Sequence, residues 1–152
     1  MSVDATNQAQ AEFWTNAGPL WTKLRDRFDA QASQYGLAAI DALAPSEGER
    51  VIDIGCGAGT STIQLAERVG ATGSVLGLDI SPTMIEGAIH LAEANGATNV
   101  SYQVTDAMAE PFQPEADAVF SRFGVMFFSD ATAGFANIRN ALRPGGRLGF
   151  VC

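Results

Sequence analysis

The chain has 152 residues, 47% of them hydrophobic and 17% charged, and its nine basic and seventeen acidic side chains leave a formal net charge of −8. That length supports one domain with a real core, and the acidic balance argues against nucleic-acid substrates and against an anionic membrane surface. The two cysteines, Cys56 and Cys152, make neither a disulfide framework nor a zinc site. A polar start and the lack of any long apolar run argue against a signal peptide or membrane span, so the expected location is the cytoplasm.

Residues 12–43 carry a helical apolar period, with a break expected at Gly18-Pro19. Trp14, Trp21, Phe28 and Tyr35 recur every seven residues, two helical turns, and therefore share roughly one face. Phe28 and Tyr35 are expected to pack that helix onto the rest of the fold. The segment 44–48, Ala-Pro-Ser-Glu-Gly, ends the helical region. This divides the chain into an N-terminal helical segment, 1–45, and a core, 46–152.

From there apolar runs alternate with periodic ones. Strands are predicted at 51–54, 74–78, 100–104, 116–121 and 147–151. Helices are predicted at 61–69, at 82–94 after the cap Ser81-Pro82 and before Gly96, and after Asp130 with Phe135, Ile138 and Leu142 on its apolar face. The connection 107–115 is too short for a full crossover helix, and Pro144-Gly-Gly146 turns into the last strand. Strands separated by helices imply an α/β fold with a parallel sheet of about five strands and helices on both faces. In such sheets ligands sit beyond the carboxyl ends of the strands, where the strand order reverses.

The run 51–60, Val-Ile-Asp-Ile-Gly-Cys-Gly-Ala-Gly-Thr, reads as strand, tight glycine turn and helix N-terminus. Its glycines, Gly55, Gly57 and Gly59, fall as GxGxG, and Thr60 stands where a dinucleotide fingerprint has its third glycine. Three acids lie near the ends of the first three strands: Asp53, Asp79 and Asp106. A carboxylate accepts several hydrogen bonds, so Asp79 can take both hydroxyls of a ribose. Asp106 can accept from an adenine amine while the backbone N–H of Ala107 or Met108 donates to a ring nitrogen. Asp53 can hold an ammonium group, directly or through water, and Ile80 and Met84 can sandwich the adenine. Acids at strand ends also cap helices or face water; it is their order around the glycine turn that points to a ligand.

These motifs resemble those of the class I S-adenosylmethionine-dependent methyltransferases, closest to the ubiquinone/menaquinone-biosynthesis branch. The matching runs are 51–60, Leu78-Asp-Ile-Ser81, Val104-Thr-Asp-Ala107, Asp117-Ala-Val-Phe-Ser-Arg-Phe123 and Leu142-Arg-Pro-Gly-Gly-Arg-Leu148, within about residues 28–152. The resemblance implies a Rossmann-like three-layer sandwich with strand order 3-2-1-4-5, S-adenosyl-L-methionine as cofactor and a small-molecule acceptor. It implies cofactor contacts from Asp53, Gly55, Cys56, Gly57, Gly59, Asp79, Ile80, Met84, Asp106, Ala107, Met108 and Ser121, with backbone carbonyls of Gly55 and Ser121 near the methionine ammonium. Trp14 and Trp21 would form a lid whose aromatic faces stabilise a sulfonium.

Methyl transfer from a sulfonium needs orientation more than a strong base, so no catalytic residue is named; His90 is expected on a helix surface and Cys56 in the turn. Phe123, Phe127 and Phe128 are expected to line an apolar substrate pocket in part. The resemblance also implies a further helix and two strands beyond residue 152. The strand at 147–151 is thus expected to be an exposed edge through which copies of the chain pair, and a fragment, a truncated product and a minimal natural form all stay open. The competing readings are a non-catalytic cofactor-binding module and an NAD(P)-dependent oxidoreductase, the latter opposed by Thr60, Asp53 and Asp106.

Overall fold

The computed structural model describes residues 7–152; the first six residues of the N-terminal segment lie outside the described part. Five strands, β1 (Arg50–Ile54), β2 (Ser74–Asp79), β3 (Val100–Val104), β4 (Ala116–Arg122) and β5 (Leu142–Val151), form one sheet in the order β3-β2-β1-β4-β5. All four pairings are parallel. The helices are α1 (Gln8–Lys23), α2 (Arg25–Leu43), α3 (Thr60–Val69), α4 (Pro82–Asn95) and α5 (Ala131–Ala141), with a 3-10 turn at Val125–Phe127. The chain moves outward from β1 through β2 to β3, then returns to the other side of β1 as β4. The order therefore reverses between β1 and β4, and a cleft opens at the carboxyl ends there.

Alternation along the strands builds one core on each face. Val51, Ala118 and Phe120 meet Ile40 and Leu43 of α2 and Leu65 and Val69 of α3. Ile54 and Val119 meet Val125 and Ile138 and Ala141 of α5. Local signals start and stop the helices where expected. The Ser81 hydroxyl accepts from the Met84 N–H at 3.4 Å, Gly96 closes α4 in the left-handed region, and Asp130 accepts from the Ala133 N–H at 3.0 Å. The connection between β3 and β4 carries no helix; Asn137 of α5 holds it by donating to the carbonyls of Ala107 and Glu110. No helix among the described residues is long and apolar enough to cross a membrane.

Two expectations are corrected. The helical break is not at Gly18-Pro19, which α1 passes without interruption, but at Leu24. Gly18 is there for close approach: a Cβ on it would lie 2.8 Å from the Thr83 Cβ of α4, and Thr22 packs in the same way over Gly87. The last strand also begins before residue 147. Ala116 pairs with Leu142 and Ala118 with Arg147, so the Pro144-Gly-Gly146 turn is a loop-out within β5.

Arg147 ties this strand to the end of α2. Its guanidinium donates to the Leu43 and Ala44 carbonyls at 2.6 Å each and to both carboxylate oxygens of Glu49 at 2.8 Å. The bonds from Arg147 are the main reason that the Glu49 carboxyl lies below its ordinary value. Arg147→Ala leaves two helix-end carbonyls and a carboxylate without their donor, and is expected to cost about 2 kcal/mol in urea unfolding. The share from Glu49 is present at neutral pH and is lost as pH falls through the lowered carboxyl value.

Candidate functional site

A cavity of about 460 Å³ lies over the carboxyl ends of β1, β2 and β4, roofed by α1 and the first half of α2. Its size is that of a small-molecule site. Its floor is the glycine turn. Gly55 has φ +66°, and a Cβ there would sit 2.7 Å from the Cα of Gly124 in the turn after β4. The two turns touch backbone to backbone, which only glycine allows at that spacing. Beside them Phe123 also takes a left-handed conformation, φ +58°, a costly one for a non-glycine residue.

The structure brings Gly55, Cys56, Gly57, Asp79, Ile80, Met84, Asp106, Ala107, Trp14 and Trp21 onto this cavity. Asp79 accepts from the Gly57 N–H and the Ser81 N–H, both at 2.9 Å, one on each carboxylate oxygen. It thus holds the glycine turn to the end of β2. Burial pushes its carboxyl up to about 6, moderated by these two backbone donors. Asp106 accepts on Oδ1 from the Met108 N–H at 2.9 Å and from the Asn7 side-chain amide at 3.1 Å.

Asp53, Gly59, Met108 and Ser121 do not line the cavity. Asp53 is fully buried: the alternation of β1 turns it to the α3 face, where the Ser61 and Thr62 hydroxyls donate to its Oδ2 at 2.8 and 2.7 Å. It anchors the first turn of α3 and cannot touch a ligand's ammonium directly. Gly59 is the N-cap of α3, pressed against Ala88. The Met108 N–H is spent on Asp106. Ser121 bridges the two turns, donating to the Ile54 carbonyl at 2.8 Å and accepting from the Val125 N–H at 3.2 Å. Cys56 is a buried thiol whose pKa burial and the neighbouring Asp79 and Asp53 drive well above its ordinary value, so it is inert as a nucleophile. His90 is exposed on α4, away from the cavity.

The aromatic face predicted for the N-terminal segment exists, but Phe28 and Tyr35 line the cavity instead of packing on the sheet. Sheet packing by α2 falls to Ile40 and Leu43, one and two turns further on. Trp21 stacks on Phe28 with centroids 4.1 Å apart, and Trp14 meets Trp21 and Phe127 edge-on at 5.6 and 4.9 Å. Phe123, Phe127 and Phe128 complete the apolar wall.

Sequence reasoning missed a polar clasp on the same wall. Arg122 donates to Asp29 at 2.6 Å, and the Thr60 hydroxyl donates to the other Asp29 oxygen at 2.5 Å. This joins α2, β4 and the start of α3. Gly36 leaves room for the Arg122 stem, 2.7 Å from where its Cβ would be. Arg25, at the start of α2, lines the cavity as well. Thr60 and Arg122 stand inside the motif runs, but Asp29 sits in a helix with no local mark, 93 residues from its partner.

Comparison with known proteins agrees with this geometry. A methyltransferase-domain family model matches residues 51–146. The chain is 40% identical over 136 residues to aklanonic acid methyltransferase DauC of Streptomyces sp. (strain C5), covering 82% of this chain and 62% of that protein. It is 35% identical over 106 residues to the demethylmenaquinone methyltransferase of Lactococcus lactis, covering 69% of this chain and 41% of that protein. The chain therefore spans less than two thirds of the length of these curated relatives. Phosphoethanolamine N-methyltransferase 2 of Haemonchus contortus, solved with S-adenosylhomocysteine, superposes with a TM-score of 0.71 at 32% identity, over 77% of this chain and 27% of that one. The chain belongs to the methyltransferase-domain family, within the class I S-adenosylmethionine-dependent methyltransferases.

Proposed function

We propose that this cavity binds S-adenosyl-L-methionine and that the chain supports transfer of its methyl group to a small-molecule acceptor. The observation that carries the reading is that Asp79, Asp106 and the glycine turn, read separately from the sequence, open onto one cavity with an aromatic wall opposite. Each Asp79 oxygen keeps capacity for a hydroxyl beside the backbone donor it already has, which suits the two ribose hydroxyls. Asp106 suits the adenine amine and the Ala107 N–H a ring nitrogen, with Ile80 and Met84 against the ring faces. Gly55 and Gly57 let the backbone approach the amino-acid end. When bound, the cofactor supplies the electrophilic methyl group; the chain's part is to orient both partners and exclude water. The names of the relatives, an aklanonic acid and a demethylmenaquinone methyltransferase, support a small organic acceptor.

Calorimetric titration with S-adenosylhomocysteine tests the reading: one site per chain is expected, with NAD+ inert because Thr60, which donates to Asp29, stands where a dinucleotide fingerprint has its third glycine. No heat with S-adenosylhomocysteine, or tighter binding of NAD+, overturns it. The affinity is expected to be flat above about pH 7 and to fall about tenfold between pH 7 and pH 5, as Asp79, at about 6, loses its acceptor form. On folding the same group acts in the opposite direction. Its native value exceeds the ordinary 3.8, so the stability it favours is present below 3.8 and is lost as pH rises to about 6.

A further inference from the structure

We propose that Asn7 is a self-capping latch: in the cofactor-free chain its carboxamide holds Asp106 in place of the adenine amine, and cofactor binding releases it to cap α1. The proposal rests on Asp106 being the adenine acceptor. Asn7 lines the cavity as the residue just before α1, 99 positions from Asp106, and neither the motifs nor the aromatic period marks it. A carboxylate only accepts, so the carboxamide presents its NH2 to Asp106 and turns its oxygen elsewhere. An NH2 beside an acceptor is also what an adenine edge offers, with its amine next to a ring nitrogen.

The latch closes the acceptor off. Asp106 is 1% exposed and Asn7 4%. Oδ1 of Asp106 takes both the Met108 N–H and the Asn7 amide, two donors for its two lone pairs. A ligand amine takes that oxygen only by displacing one of them. The Met108 N–H is fixed by the chain two residues on, whereas Asn7 is a side chain at a helix end.

This contact is made at the helix's expense. Asparagine is among the best N-cap residues because its side-chain oxygen can accept from the first-turn N–H groups. Ser81 and Asp130 do this for α4 and α5, but Asn7, at the N-cap of α1, makes no such bond. Its Oδ1 is instead buried with no donor, a costly state for a polar atom. Turned back onto α1, that oxygen can accept from the Ala9 or Gln10 N–H, and Asp106 is uncovered. Each arrangement makes a hydrogen bond that the other lacks, so a ligand that needs Asp106 shifts the balance between them. The rest of α1 can stay in place, because close packing of Gly18 on Thr83 and of Thr22 on Gly87 holds its second half to α4.

The test uses the 152-residue chain and two variants, Asn7→Asp and Asn7→Ser. Both can still cap α1, and neither can donate to Asp106 as the carboxamide does. Stopped-flow and calorimetric titration with S-adenosylhomocysteine are expected to show binding about tenfold tighter in both variants, mostly through faster association, since a hydrogen bond to a carboxylate no longer has to be broken. With the analogue carrying hydrogen in place of the adenine amine, which has no need of Asp106, the gain is expected to stay below twofold. In the parent protein, the Asn7 side-chain amide signals, assigned by their loss in Asn7→Ser, are expected to move to solvent-exposed positions in the NMR spectrum on saturation with S-adenosylhomocysteine. Variants that bind S-adenosylhomocysteine no more tightly than the parent, an equal gain for the analogue, or amide signals that stay in place overturn the latch and leave the cofactor reading standing. Failure of the parent to bind S-adenosylhomocysteine removes both.

Discussion

Replacing Asp79 with alanine is expected to weaken S-adenosylhomocysteine binding by about 100-fold at pH 7.5. The carboxylate sits between the glycine turn and the cavity, with one backbone N–H on each oxygen at 2.9 Å and a face left for a ligand diol. Two hydrogen bonds from hydroxyls to an ionised acceptor are worth about 1.5 kcal/mol or more each, and about 3 kcal/mol is a factor of about 100 in affinity. The effect on the fold is expected to be small, because two opposing changes accompany it. The Gly57 and Ser81 N–Hs lose an acceptor, while a carboxylate whose burial holds it at about 6 no longer has to be ionised inside the protein. Calorimetry and thermal melting of the same sample separate the two. A loss below fivefold, or a variant that does not fold, contradicts the role assigned to Asp79.

The second large effect is expected at Asp29. Asp29→Ala leaves the Arg122 guanidinium, its side chain 13% exposed, without its carboxylate, and also frees the Thr60 hydroxyl. Removing one partner of a largely buried ion pair strands the other charge, at a cost of about 3–5 kcal/mol. Urea unfolding is expected to show that loss, and the variant should bind S-adenosylhomocysteine less tightly because α2 is no longer fastened to β4 and α3. The double change Asp29→Ala with Arg122→Met removes the stranded charge and is expected to recover more than half of the stability. A single variant within 1 kcal/mol of the parent, or a double variant as unstable as the single, contradicts the clasp.

Much of this architecture is legible in the sequence, for local reasons. The inner strands β1, β2 and β4 are short, mainly apolar runs, because a parallel sheet covered on both faces leaves little polar alternation there, whereas the edge strand β3, Val-Ser-Tyr-Gln-Val, alternates. Ser81-Pro82, Gly96 and Asp130 mark helix ends by their own backbone chemistry. Asp79 and Asp106 end up on the cavity because each stands at or just past the end of its strand, where the cleft opens. Asp53 fails the same reasoning by position: two residues from the turn, the strand's alternation turns it under α3 and not outward. The seven-residue aromatic period locates a face but not what that face meets. It points Phe28 and Tyr35 at the cavity, because α2 reaches the sheet only from Gly36 onward. Gly18-Pro19 reads as a break by composition, yet packing on Thr83 keeps the helix continuous. The Asp29–Arg122 clasp has no local signature at all, since it depends on where α2 crosses β4.

The most direct measurement of the central claim is a crystal structure of the chain with S-adenosylhomocysteine. The ribose hydroxyls are expected about 3 Å from the two Asp79 oxygens, the adenine between Ile80 and Met84 with its amine toward Asp106, and the sulfur facing the aromatic wall of Trp14, Trp21 and Phe127. A ligand bound elsewhere, or bound in this cavity with its ribose away from Asp79, contradicts the assignment.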